Sequence, residues 1–362
     1  MISEEGQKVL YDTLRECGYK GGMRFNEPLY QYTSFKLGGP CSIFLLPEST
    51  PDIRAALRYF KNTGTPWSVL GGGSNVLFPD HGFNGGILRI GDNLAEFEEV
   101  DNHLAVSAGL PLSRLMKFAM DDGYGGFEFL IGIPGTVGGA LAVNAGTHEE
   151  WIDTLVLWAE AVNYEGDPIR FMKPRGSYRQ GFAGGKNYVI AAVALEKREA
   201  DPAVIKEKMK QRMSAKVAAQ PYGVRSAGCV FKNPPGVKAW GLIESVGLKG
   251  HRIGGAFFSE VHCNFIVCSK GAASADVLGL IRLAEERVLE EKGIKLEREI
   301  VLLGFDIPPP VPELPFDEDE VDEEEAESEQ PSEEGADAAT DENESESGDE
   351  KEAESPGESK AD

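Results

Sequence analysis

The stretch Gly125-Gly126-Phe127-Glu128-Phe129-Leu130-Ile131-Gly132-Ile133-Pro134-Gly135-Thr136-Val137-Gly138-Gly139-Ala140, followed by Asn144-Ala145-Gly146, decides how this chain folds. Glycines at 132, 135, 138 and 139 weaken any regular helix or strand. A chain that keeps them uses bare backbone, either to close-pack a tight turn or to receive a long ligand threaded between two lobes. A second cluster lies upstream, Ser68-Val69-Leu70-Gly71-Gly72-Gly73-Ser74-Asn75, where a strand runs into three glycines and two small polar residues. Successive N–H groups there converge on an anion if the loop binds one, and Ser74 and Asn75 add donors. The pattern is neither the dinucleotide fingerprint G-x-G-x-x-G nor a Walker A loop. Two such clusters separated by a βα unit reinforce each other.

Around them, short β-rich runs are interspersed with amphipathic helices. One helix is expected with Thr50 as N-cap and Pro51 at the first helical position, burying Ile53, Leu57 and Phe60 and stopping at Gly64. A second runs from Asp201 and Pro202 through Ile205, Met209 and Met213. A third spans Ser274 to Gly293, with Val277, Ile281, Ala284 and Val288 on one face. The runs CSIFLLP, WSVLGGG, GILRI, HLAVSAG, NYVIAAVALE, HCNFIVC and EIVLLG read as strands. The order is mixed and shows no internal repeat, so the fold class is α+β. A break is expected between Glu199 and Gln220.

Charge separates a tail from a body. Of 60 acidic and 36 basic residues, 24 acidic and two lysines fall in Glu313–Asp362, leaving 36 acidic and 34 basic in the first 312 residues. The net charge of -24 therefore says little about the body, which lacks the basic excess of a nucleic-acid binder. Pro-rich Ile307–Pro315 reads as a stiff exit, and the acidic residues beyond it as disordered. Such a tail is a solubilising appendage or a docking segment for an unknown basic partner. The body, at roughly 150 residues per domain, has room for two or three domains. Cys17, Cys41, Cys229, Cys263 and Cys268 form no C-x-x-C pair and fit free thiols in a reducing compartment. The first residues lack a signal-peptide pattern, and the longest apolar run, Val189–Leu195, is too short to span a bilayer. A soluble, cytoplasmic protein without membrane insertion is expected.

Three further features carry chemistry. In Ser226-Ala227-Gly228-Cys229-Val230-Phe231-Lys232-Asn233-Pro234, a small-residue turn places Cys229 beside a cation and an amide. A lone thiol there is a nucleophile, a proton donor or an inert buried cysteine, and the segment alone does not choose. Tyr178-Arg179 lies in a polar loop, and Glu299 opens the strand IVLLG; both are surface charges by default. The five histidines show no paired-ligand spacing, so no metal is inferred.

Taken in order, YTSFKLGGP (Tyr32 to Pro40), LGGGSN, GFEFLIGIPGTVGGALAVNAG, SYR (Ser177 to Arg179), SAGCVFKNPPG, LIESVGLKGHRIGGAFFSEVHCNFIV and LEREIVLLG resemble the UDP-N-acetylenolpyruvoylglucosamine reductase (MurB) family, in its branch with the compact C-terminal domain. The likeness runs from about residue 23 to 306 and leaves the tail outside. It implies an FAD-binding scaffold of the vanillyl-alcohol-oxidase type in two α+β subdomains, followed by an α+β substrate domain. The implied division is an N-terminal helical segment at 1–22, the FAD-binding part at 23–200 with a subdomain break near 91–100, the substrate part at 201–306, and the tail at 307–362.

By motif position, the resemblance implies that Gly71, Gly72, Gly73, Ser74, Asn75, Gly132, Gly135, Thr136, Gly138 and Gly139 bind FAD. NADPH is the implied reductant and UDP-N-acetylglucosamine enolpyruvate the implied substrate. Arg179 and Glu299 hold and polarise its carboxylate, Cys229 is the proton donor, and Lys232 and Asn233 contact the substrate. Most members have serine at the donor position; a thiol, with a reference pKa of about 8.5, gives up its proton more readily. Two further departures are Arg298, where proline usually precedes the glutamate, and Arg225, where proline is frequent before the donor motif. Another FAD oxidase or dehydrogenase acting on a hydroxy acid or alcohol, and a flavin-loaded scaffold with a recruiting tail, are the competing readings.

Overall fold

Caps and glycines fix where the elements begin and end. The computed structural model describes residues 2–147, 149–182 and 188–305, so the tail lies outside the described residues. Helix α1 (Glu4–Glu16) precedes strands β1 (Gly22–Pro28) and β2 (Pro40–Leu46). Helix α2 (Thr50–Thr63) starts one residue earlier than expected: Ser49 is the N-cap, because its Oγ accepts the Asp52 N–H at 3.3 Å. Gly64, in the left-handed conformation at φ +64°, ends it. Strand β3 (Trp67–Leu70) runs into the first glycine cluster, which is followed by β4 (Val76–Leu77) and β5 (Phe83–Arg89). Strands β1, β2, β5 and β3 form one sheet in that order, antiparallel at β1–β2 and parallel beyond. Helix α2 lays Ile53, Leu57 and Phe60 into a core with Ile43, Leu45 and Leu88.

The middle of the chain adds β6 (Phe97–Val100), β7 (His103–Ser107), α3 (Leu112–Asp122) and α4 (Val137–Ala142), then β8 (Val156–Asn163), β9 (Pro168–Met172) and β10 (Tyr188–Glu196). Its five strands are antiparallel in the order β6-β7-β10-β8-β9. Helix α5 (Pro202–Ala219), capped by Asp201, follows. Its inner residues Ile205 and Met209 join the core of the five-stranded sheet, together with Leu104, Leu115 and Val193.

The remainder comprises α6 (Ala239–Ser245), the antiparallel meander β11 (Arg252–Ile253), β12 (Ala256–Phe258) and β13 (Ile266–Cys268), α7 (Ser274–Lys292) and β14 (Val301–Leu302). Val277, Ile281, Ala284 and Val288 of α7 pack on Ala256, Phe258 and Ile266 as their spacing demands, and Phe35, Leu37 and Leu77 enter the same core from the first part of the chain. Two links bind those parts. Strand β14 pairs in parallel with β4, and Asp80 accepts both the N–H and the hydroxyl of Ser274, at 2.8 and 2.9 Å. Asp80 thereby caps α7 from outside, which Ala273, the residue before the helix, has no side chain to do.

Candidate active site

Both glycine clusters open onto one cleft of about 1660 Å³. Its wall includes Gly71, Gly72, Gly73, Ser74 and Asn75 together with Gly132, Gly135, Thr136, Gly138 and Gly139. The clusters also touch each other: a Cβ on Gly72 would strike the Gly135 backbone, and one on Gly73 the Tyr32 carbonyl. At these positions glycine serves tight packing. At Gly139 a Cβ would meet only Thr136 Oγ1, at 3.3 Å, and at Gly135 only Ser74 Oγ, at 3.2 Å. There the missing side chain leaves the cleft wall bare.

Arg179 reaches this cleft from a turn closed by two backbone hydrogen bonds, Ser177 N to Gln180 O at 2.9 Å and Gln180 N to Ser177 O at 3.1 Å. The turn needs a left-handed residue, a place that favours glycine or asparagine, yet Arg179 occupies it at φ +55°. Strain of this kind marks a position held for its side chain. Buried Asp153 fixes the turn's approach by accepting Gly176 N–H at 2.8 Å and the Asn144 amide at 3.2 Å. That gives Asn144, from the end of the second cluster, a structural role. The Arg179 guanidinium donates to Gly146 O at 3.3 Å, and its Nε lies 3.0 Å from Glu299 Oε1. This contact is ionic without hydrogen-bond alignment, since Nε is buried and finds no aligned acceptor.

Glu299 stands just before β14, and Cys229 lies on the adjacent segment. Glu299 N donates to Val230 O at 2.8 Å, so carboxyl and thiol sit on adjacent segments that both line the cleft. Burial pushes the Glu299 carboxyl above the usual range, against the pull of Arg179 and Lys232. The Cys229 thiol is pushed up to about 12, first by burial and then by Glu299, with Arg179 opposing. It therefore stays protonated well above the reference range expected from sequence. Buried Asn264 holds this segment in place: its Oδ1 accepts Phe231 N–H at 2.9 Å and its Nδ2 donates to Phe231 O at 2.7 Å.

Two basic residues stand off the cleft wall. Lys232 is not on the cleft wall: its Nζ pairs with Glu297, so it acts on the site only through its charge on Glu299. Arg225 is exposed and likewise off the wall. Asn233 lines the cleft, with its Oδ1 accepting the Ala239 N–H at 3.0 Å where α6 begins. Arg298 grips Glu285 of α7 through two bonds of 2.5 and 2.6 Å, a structural use for an arginine where proline is usual.

Other wall residues escaped the sequence reading. Lys216, in the last turn of α5, donates to Ile131 O at 2.5 Å, and its ammonium is pushed down to about 8 by burial and by Arg212 and Arg179. The signal lay in the α5 pattern, because Met209, Met213, Lys216 and Gln220 recur at helical spacing and all line the cleft. Ser34 and Ser226 also line it, and each has a buried hydroxyl with no protein partner. With Arg179 Nε, these account for three of the four buried side-chain polar atoms without an aligned partner among the described residues. Such atoms are rare in folded proteins, and their gathering on one wall fits a polar ligand.

A cleft larger than the roughly 300–1,000 Å³ of an ordinary small-ligand pocket, walled by bare glycine backbone and unpartnered donors, fits FAD together with a second ligand. The class is that of an FAD-binding oxidoreductase. Residues 41–171 match the family model described as an FAD binding domain, and residues 220–303 match that of the UDP-N-acetylenolpyruvoylglucosamine reductase C-terminal domain. The UDP-N-acetylenolpyruvoylglucosamine reductase of Heliobacterium modesticaldum is 36% identical over 292 residues, covering 79% of this chain and 92% of that protein. Its counterpart from Geobacter sulfurreducens is 38% identical over 295 residues, covering 80% and 96%. The crystal structure of the Thermus caldophilus reductase (MurB) superposes with a TM-score of 0.66 at 32% identity, covering 78% of this chain and 99% of that one. This chain belongs to the UDP-N-acetylenolpyruvoylglucosamine reductase family.

Proposed function

We propose that the chain reduces UDP-N-acetylglucosamine enolpyruvate to UDP-N-acetylmuramate, using FAD and NADPH, as a cytoplasmic step in peptidoglycan precursor synthesis. The observation that carries the reading is the meeting of Arg179, Cys229 and Glu299 on one cleft with both glycine clusters. The division that goes with it is an FAD-binding part over 23–200 and a substrate part over 201–306, with α5 of the second part packed on the five-stranded sheet of the first.

Saturating the enolpyruvyl double bond adds a hydride at the methylene carbon and a proton at the carbon bearing the carboxylate. FAD, when bound, supplies the hydride that it takes from NADPH. The protein's own residues manage the charge and the proton. Arg179 and Glu299 hold the carboxylate, where negative charge grows as the double bond is saturated. Burial raises the Glu299 carboxyl against the pull of Arg179, which favours its protonated form beside that growing charge. The Cys229 S–H bond breaks to protonate the neighbouring carbon, and the resulting thiolate is stabilised by Arg179 before solvent restores its proton. Gly71–Asn75 and Gly132–Gly139 bind FAD through backbone N–H groups, with Ser34 adding a hydroxyl beside them. Lys216 and Asn233 contact the nucleotide ligands, and Lys232 acts at longer range.

An anaerobic spectral titration of the purified protein tests this reading. NADPH bleaches the flavin band, and added enolpyruvyl substrate restores it. A protein that neither carries nor takes up FAD would sink the assignment, and bleaching without return would leave a flavoprotein with another acceptor.

A further inference from the structure

The Asn75 side chain does not serve the glycine loop in which it stands. Its Nδ2 donates to the Glu299 carbonyl at 3.0 Å, while the Asn75 backbone carbonyl accepts the Val301 N–H at 3.0 Å. These bonds bracket the residues that lead into β14. The parallel pairing then continues with Val76 opposite Val301 and Leu77 opposite Leu302, and Leu303 N donates to Leu77 O at 3.0 Å. On the opposite edge, Glu299 N donates to Val230 O and Lys232 N to Glu297 O, both at 2.8 Å.

Glu299 is thus the middle of a three-segment splice, with the thiol-bearing segment on one side and the exit of the glycine loop on the other. Its N–H is fixed from the first side by backbone, and its C=O from the second by one side-chain amide. The regular β4–β14 pairing begins two residues later, at Val301, so among the described residues that amide is what holds the Glu299 carbonyl.

We propose that Asn75 is a positioning residue for Glu299. Its amide sets the plane of the Glu299 peptide and hence the direction of the carboxyl toward Arg179, which couples the glycine loop to the acid–base geometry. The inference rests on the reductase reading of the cleft. Only a short side chain with a donor serves here. Aspartate has the same shape but turns an acceptor toward the Glu299 carbonyl, and alanine removes the contact while leaving the backbone bonds of the splice intact.

The test is stopped-flow measurement of both half-reactions in the wild-type holoenzyme, Asn75→Ala and Asn75→Asp, with flavin content determined for each. The expected result is that re-oxidation by the enolpyruvyl substrate falls about 10–100-fold further than flavin reduction by NADPH, in rate constant and not in half-saturation. The pH profile of re-oxidation moves in the same variants. Asn75→Ala placed on Arg179→Lys costs less than the product of the two single effects, because both act through Glu299. Asn75→Asp keeps the volume, so it separates loss of the donor from loss of packing. A proportionate fall in flavin content and in both half-reactions would mean that Asn75 only builds the loop, and it would overturn the proposal. Unchanged re-oxidation in both variants would overturn it equally. A wild-type protein that bleaches with NADPH but does not return would overturn the reading of the site and this inference with it.

Discussion

Arg179 and Glu299 meet with Nε 3.0 Å from Oε1, one from a strained turn beside the five-stranded sheet and the other from the segment leading into β14. Neither is fully buried, with side-chain exposures of 22% and 17%, so the pair faces the cleft instead of stapling the fold. On the cleft wall, the members of this pair are placed to exchange each other for a ligand carboxylate.

Arg179→Lys tests that exchange. A lysine keeps the charge but loses the planar fork that holds a carboxylate and an acid at once. Re-oxidation of reduced flavin by the enolpyruvyl substrate is expected to drop about 10²–10³-fold, the scale of losing one preorganised donor. The melting temperature should scarcely move, because the side chain sits on a turn at the cleft.

Cys229 is expected to divide its variants sharply. Cys229→Ser keeps a donor at the same atom and retains turnover, while Cys229→Ala loses about 10²–10⁴-fold in re-oxidation, the usual contribution of a positioned acid. Flavin bleaching by NADPH should survive in both. With the thiol pushed up to about 12, it loses no proton near pH 8.5, so turnover should show no alkaline loss there from this group. The same shift slows iodoacetamide: at pH 8 exposed Cys17 is alkylated first and Cys229 far more slowly, which peptide mass analysis reads directly.

Lys216 gives a pH dependence of the opposite kind. Its ammonium is pushed down to about 8, so in the free protein it is a cation below that pH and neutral above it. Half-saturation by NADPH is therefore expected to rise as pH passes 8, and Lys216→Met should raise it at pH 7 and flatten the dependence. Titrations of flavin reduction at fixed ionic strength between pH 6.5 and about 9 decide the point.

Much of this was legible in the residues, and what was not has a common cause. The glycine clusters, the α2 and α7 faces and the Cys229 turn are local patterns, and each carries its meaning within a few residues. Strand β8 was missed because WAEAV mixes small, acidic and aromatic side chains and owes its place to pairing with β10. Strand β1 was missed because the apolar alternation of GMRFNEP is limited to Met23 and Phe25, too short to read, and its register comes from β2. The run EIVLLG looked like a full strand, yet it forms regular pairing only at Val301 and Leu302, because β4 is equally short. At the site, the sequence reading named side chains that the fold gathers on one cleft and missed what holds them. Lys216, Asn264 and the hydroxyls of Ser34 and Ser226 acquire significance only from a cleft that tertiary packing creates. Lys232 looked like a cleft cation by adjacency, but its ammonium is turned away to pair with Glu297.

Asn264 offers the sharpest separation of fold from chemistry. Its two side-chain atoms satisfy both backbone groups of Phe231, and its carbonyl accepts Val230 N–H at 2.8 Å, so one buried residue sets the backbone immediately after Cys229. Asn264→Leu leaves the Phe231 N–H and C=O without these partners, and a loss of about 1–3 kcal/mol for each buried group left unsatisfied is expected. Asn264→Asp keeps the acceptor for Phe231 N but turns a second acceptor toward Phe231 O, so it should fall between wild type and leucine in thermal unfolding. Both variants displace the thiol, and re-oxidation by substrate should therefore fall more steeply than flavin reduction by NADPH. If the two half-reactions declined together with the melting temperature, Asn264 would be a packing residue of the last core and nothing more.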